Sequence, residues 1–144
     1  MMKKIIIFLI ILNTSNIIGQ EFTCDDFKTG IFIGTTPMFQ GVEWKIIRKN
    51  SSQIESISKI PQKYLDMGFP TDILYSKIEQ IDDCVFNFKY DETKMTLDEN
   101  QKSLNDTGGL MVEISKIEGK CFYYISKSIF QDKEMIIEGK LCKE

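Results

Sequence analysis

The chain has 144 residues, with 18 Lys and Arg against 21 Asp and Glu, a net charge of −3, no His and four Cys. An acidic chain whose positive charge is scattered Lys lacks the basic face that polyanion binding needs, so nucleic acid is not expected as a partner. Without His, the commonest general base and the usual partner of a nucleophilic Ser or Cys are missing, and zinc sites built on His are excluded.

The first element in chain order is a predicted export signal. In "MMKKIIIFLIILNTSNIIG", Lys3 and Lys4 form a basic start, Ile5 to Leu12 an apolar run, and Asn13 to Gly19 a polar stretch ending in a small residue. About eight apolar residues are too few to cross the roughly 30 Å of bilayer hydrocarbon, so no stable membrane anchor is expected. Cys24 stands too far beyond Gly19 for lipid attachment at a processed N-terminus. Cleavage after Gly19 would leave a single domain, residues 20–144. Losing Lys3 and Lys4 leaves 16 positive against 21 negative side chains, a net charge of −5. The expected location is secreted or periplasmic. There an even set of cysteines, Cys24, Cys84, Cys121 and Cys142, predicts two disulfides with three possible connectivities.

Beyond the signal, period-two patterning dominates. Strands are predicted over Phe27–Gly34, Glu43–Asn50, Ser52–Ser58, Asp72–Asp82, Cys84–Tyr90, Leu110–Glu118, Cys121–Phe130 and Glu134–Cys142. In the fifth, Phe86, Phe88 and Tyr90 share one face while Asn87 and Lys89 take the other. No Ala occurs anywhere, which removes the best helix former. The pattern predicts an all-β domain. Two segments interrupt it. "SKIPQKYLDMGFP" predicts a short helix opened by Pro61 and closed by Gly68. "DETKMTLDENQKSLNDTGG", Asp91 to Gly109, reads as a solvated, mobile excursion.

The last two strands allow a sharper expectation. If Gln131 and Asp132 form a two-residue turn, Phe130 pairs with Lys133 and Cys121 falls opposite Cys142. That register puts Phe122, Tyr124, Phe130, Met135, Ile137 and Leu141 on one apolar face. It would leave Cys24 to pair with Cys84. A competing scheme joins Cys24 to Cys142. The acidic pairs Asp25-Asp26 and Asp82-Asp83, both beside cysteines at strand ends, read as turn residues rather than a catalytic carboxylate pair. No catalytic residue, cofactor site or metal site is predicted, and the chain is not expected to be an enzyme.

The only Trp and the only Arg sit together in "EWKIIRKNSSQIE". With Asn50 and Ser51 as the turn, Trp44, Ile46 and Arg48 share a face with Gln53, Glu55 and Ile57. Trp44 and Ile57 mark the buried far end of that face. Arg48, Gln53 and Glu55 are expected near the turn, where the sheet opens to water. Arg offers a planar fork of donors that matches a carboxylate. Arg48 therefore either pairs with Glu55 and Gln53 to close the core, or meets the acidic group of a ligand held against Trp44.

The motifs "CDDFKTGIF", "IIRKNSSQIE" and "IDDCVFNF" resemble a group of small exported proteins of Bacteroidota bacteria. Those proteins share a Cys-x-x-Phe-x-x-Gly-x-Phe start, an Arg…Gln-x-Glu hairpin and an Asp-Cys-aromatic strand in this order. The resemblance spans Cys24 to Tyr90 and implies compartment and all-β form, with no activity to carry over. It also implies a Cys24–Cys84 pair. Cys121, Cys142, the Pro61–Pro70 segment and the Asp91–Gly109 loop depart from the group.

The expected architecture is an antiparallel meander of about eight strands. It would form an open barrel resembling the lipocalins, or a strongly twisted sheet, with one short helix. The expected function is a monomeric, non-catalytic binding module. A small apolar or amphipathic ligand would sit in the concavity among Trp44, Arg48, Gln53, Glu55, Phe86, Phe88 and Tyr124, with Ile46 on the same face. The alternative is an interaction or inhibitor module with a solid core, meeting an envelope protein through its loops.

Overall fold

The computed structural model describes Gly19 and residues 21–144. The rest of the predicted export signal lies outside the described residues. Eight strands follow one another: β1 Gly30–Thr35, β2 Glu43–Lys49, β3 Ser52–Lys59, β4 Leu74–Asp82, β5 Val85–Tyr90, β6 Leu110–Glu118, β7 Cys121–Phe130 and β8 Lys133–Lys143. Each pairs antiparallel with the next, and β8 returns to β1 with Cys142 opposite Ile33. The sheet is a closed barrel rather than an open one.

Two hairpins set much of the register. Asn50 and Ser51 have φ of 51° and 61°, and Gln131 and Asp132 have φ of 49° and 61°. Two successive left-handed residues are the signature of a type I′ turn, whose twist matches that of the flanking strands. The pairs that follow are Arg48 with Gln53 and Cys121 with Cys142, as the alternation predicts. Cys121–Cys142 and Cys24–Cys84 are both disulfides, and the Cys24–Cys142 scheme is set aside.

One end of the barrel is plugged. Phe27, expected in the first strand, instead ends a 3-10 turn over Cys24–Phe27. The Thr23 N–H donates to the Asp26 carboxylate at 2.8 Å, and the Asp26 N–H donates to the Thr23 carbonyl at 3.0 Å. The acidic pair Asp25-Asp26 thus starts this turn, where negative charge suits the exposed N–H groups. The Phe27 ring lies 5.0 Å from Phe86, 5.3 Å from Phe122 and 6.3 Å from Phe32. All four are fully buried, each burial stabilising the fold by roughly 1.5–3 kcal/mol. Both disulfides sit at this end. Cys84 lies in the turn between β4 and β5, Cys121 opens β7, and Cys142 lies one residue from the end of β8.

The other end carries the two interrupting segments. Helix α1, Gln62–Asp66, is the predicted short helix. After it Gly68 turns at φ 76° and the Phe69 N–H bonds back to the Tyr64 carbonyl at 2.9 Å. Phe69 and Tyr64 then pack around Phe39, which also meets Trp44 at 6.2 Å. The Asp91–Gly109 segment holds a second helix, α2, Glu99–Asp106, in place of the predicted mobile excursion. Asp98 caps it by accepting from the Gln101 N–H at 2.8 Å, and the Gln101 side chain accepts from the Asp98 N–H at 2.9 Å. That reciprocal box was readable as Asp98-x-x-Gln101, but the helix has no apolar stripe to announce it.

Polar side chains tie α2 to the barrel. Asn105 accepts from the Tyr90 N–H at 2.8 Å and donates to the Tyr90 carbonyl at 2.9 Å. Asn87, on the outer face of β5 yet buried, donates to the Gly108 carbonyl at 2.8 Å. Gly109, at φ 86°, passes so close that a Cβ there would stand 2.5 Å from the Phe88 carbonyl oxygen. Only Gly fits that approach.

Candidate functional site

The inward faces of β2 and β3 carry Trp44, Ile46, Arg48, Gln53 and Glu55, as predicted, but the barrel runs the opposite way to the expectation. The end beside the β2–β3 turn is the plugged one, and Trp44 stands toward the open one. Residues 24–27 fold under the barrel and cover what the hairpin alone would have left open to water.

Arg48 is therefore sealed, with 4% of its surface exposed. Its Nη1 donates to the Phe27 carbonyl at 2.7 Å and its Nε to the Gln53 side-chain oxygen at 2.8 Å. The guanidinium stacks 3.9 Å from the centre of Phe27, with Phe88 at 5.1 Å and Phe32 at 5.2 Å. Burial pulls it down to about 9, while Tyr124 and Glu55 oppose the shift, so it stays charged at neutral pH. Of the two expected roles, the geometry gives Arg48 the one that closes the core, joining the plug to β2 and β3.

Arg48 reaches Glu55 only through Gln53. The Gln53 amide turns its oxygen to Arg48 and donates its nitrogen to Glu55 Oε2 at 3.3 Å. Burial pushes the Glu55 carboxyl above its ordinary range, and the Arg48 charge partly opposes that. Tyr124 faces the same layer. Burial raises its hydroxyl to about 12, with Glu55 adding to the shift and Arg48 opposing it. A Cβ at Gly139, opposite Tyr124 on β8, would overlap the Tyr124 ring, so Gly139 makes room for the ring to lie across the strand.

The open end begins where β3 and β4 part. Their last pair is Glu55 with Leu74, and β3 continues to Lys59 without β4 beside it. A cavity of about 330 Å³ fills that gap. Trp44, Ile57, Phe69, Leu74 and Tyr90 supply apolar and aromatic wall. Glu55, Asp72 and Asp98 supply three carboxylates. A smaller cavity of about 170 Å³ adjoins it, sharing Glu55, Leu74 and Tyr90 and reaching Gln53 and Phe88. Burial raises the Tyr90 hydroxyl, and Glu55 and Asp98 add to the shift.

Of the residues singled out in the sequence, Trp44 and Glu55 line the larger cavity, and Gln53 and Phe88 border the smaller. Arg48 and Tyr124 form the polar layer behind. Ile46 and Phe86 belong to the packed core. Other wall residues, Ile57, Phe69, Asp72, Leu74, Tyr90 and Asp98 among them, were not singled out as ligand contacts. Phe69 and Asp98 come from between strands, where alternation is silent, and Asp72, expected to open the fourth strand, lies just before β4. Tyr90 shares a face with Phe86 and Phe88 and was within reach of that pattern. Among the described residues no cluster of Cys, Asp and Glu is arranged to hold a metal ion. Comparison of the chain with protein-family models, curated proteins and solved structures finds no match.

Proposed function

We propose that this chain is an exported, monomeric, non-catalytic binding module that takes a small apolar or amphipathic ligand at the open end of its barrel. The observation that carries the reading is the cavity of about 330 Å³ beside Trp44, which lies in the ~300–1,000 Å³ range of small-molecule sites. The plugged end supports it, because a rigid floor holds the cavity wall in place. Two disulfides fit an extracellular or periplasmic environment, and no helix among the described residues is long and apolar enough to cross a membrane. The resemblance to small exported Bacteroidota proteins belongs to the same proposal.

The test is the mass of the protein purified from its native host, measured under native and then denaturing conditions. A defined mass lost on denaturation supports the module and starts to identify its ligand. Equal masses, together with no response of Trp44 fluorescence to added hydrophobic probes, would sink it. The denatured mass also tests cleavage after Gly19.

A second reading, contact with an envelope protein, has one observation in its favour. Ser128–Phe130 pair only with β8 and Lys133–Gly139 only with β7, so the tip of the β7–β8 hairpin runs past the barrel wall. It exposes Ile129 and Ile136. Ile136→Lys should abolish a partner that crosslinks to the wild-type hairpin; unchanged crosslinking would rule this face out.

A further inference from the structure

We infer that the ligand of the open-end cavity is a cation, an ammonium or guanidinium held at Glu55 beside Trp44 and Tyr90, with its apolar part against Ile57, Phe69 and Leu74. This rests on reading the open end as a ligand site and adds the charge of what enters it.

The first support is the sign of the wall. The larger cavity has three carboxylates and not one Lys or Arg in its lining. Ion pairs among the described residues use Asp25, Glu43, Asp91 and Glu118, so Glu55, Asp72 and Asp98 take part in none of them. The nearest buried cation is Arg48, committed to Phe27 and Gln53. One guanidinium against three carboxylates leaves the site negative. Lys89 borders the smaller cavity only, and its side chain belongs to the exposed face of β5.

The second support is Glu55 itself. Its carboxylate is half-buried in the cavity wall and accepts a single long bond, 3.3 Å from Gln53. A carboxylate has about four acceptor positions. An ionised one that is partly desolvated and holds one bond is stabilised by a further charged partner, which a cation supplies. Glu55 lines both cavities, so the cavities are where such a partner would reach it. Asp98 is engaged as the cap of α2 and contributes field rather than contact, whereas exposed Asp72 stands at the rim.

The third support is aromatic. Trp and Tyr ring faces attract cations, Trp most strongly, and Trp44 and Tyr90 lie on the same wall as Glu55. An anion would meet three like charges there. A neutral apolar ligand would leave Glu55 without a partner.

The experiment uses three probes of nearly equal size on the full mature protein: 2-phenylethylammonium, 2-phenylethanol and phenylacetate. Trp44, the only tryptophan, reports binding through its fluorescence. The ammonium is expected to bind roughly tenfold or more tightly than the alcohol, the scale of a bond to a charged group, with phenylacetate weakest. Glu55→Gln should bring the ammonium down to the alcohol's affinity, and Asp72→Asn should weaken it less. Circular dichroism checks that each variant folds, and the wild-type series decides the matter without them. If the alcohol binds as tightly as the ammonium, the cation inference is overturned while the cavity reading stands. If none of the three gives a saturable change, both fall.

Discussion

The two ends of the barrel are built from one alternating pattern and come out differently. At the plugged end, Phe27, Phe32, Phe86 and Phe122 are fully buried, Arg48 is stacked among them, and both disulfides close the rim. At the other end there is no disulfide, the covering helices are short and polar, and a cavity lies beside Trp44 and Glu55. Alternation decides which residues point inward. It does not decide which stretch of the interior is filled, because that depends on what folds across the rim. Residues 24–27 fill one end, and at the other the parting of β3 from β4 leaves a cavity beside Trp44. A filled floor below an open mouth is a sound arrangement for a binding site, since pre-ordering the wall lowers the entropy lost on binding.

Substitutions can test that asymmetry. The largest effect is expected from Phe27→Ala, which removes the plug from beneath Arg48. It should cost about 3–5 kcal/mol in urea unfolding, and a loss under about 1 kcal/mol would mean the plug is dispensable. Next come the disulfides. Replacing Cys24 and Cys84, 60 residues apart, should cost about 4 kcal/mol, against about 3 kcal/mol for Cys121 and Cys142, 21 apart. The reverse order would show that the unfolded chain is already compact around the longer loop.

Arg48→Met should cost about 1–3 kcal/mol, because the Phe27 carbonyl and the Gln53 oxygen lose their donor. Removing a buried charge offsets part of that loss. The same variant should lose no affinity for whatever the open-end cavity binds, since Arg48 sits behind the wall, and a cation should bind at least as tightly. Lost affinity in a folded Arg48→Met protein would move Arg48 into the site.

The smallest effect is one of pH. Burial raises the Glu55 carboxyl, so the folded protein keeps that proton to a higher pH than the unfolded chain does. The group's contribution is fully present below its ordinary value and is lost as pH rises through the raised one. Gln does not titrate, so Glu55→Gln should gain stability relative to wild type between pH 4 and pH 7. Paired urea midpoints at the two pH values measure it. A difference that does not change with pH would show that Glu55 ionises as freely folded as unfolded.

Much of the barrel was legible because it is local. The two I′ turns pair neighbours in sequence, and once Gln131-Asp132 turns, Cys121 must meet Cys142. The shared face of Trp44, Arg48, Gln53 and Glu55 followed from the same step at Asn50-Ser51. Phe69 and Asp98 were not legible as wall residues, since no periodicity governs a segment between strands. Helix α2 was hidden for a related reason. Its support comes from Asn105 and Asn87 reaching the barrel, contacts that leave no apolar stripe behind.

Residue order alone thus specified eight strands, their faces and two hairpin registers, each a matter of a few neighbouring dihedrals. Closure of β1 on β8, the return of Phe27 beneath the barrel and the position of the cavity required contacts between distant segments. Such contacts depend on which surfaces meet after the chain has collapsed. The direction in which the barrel opens was settled there, by four residues held at Cys84 through a disulfide.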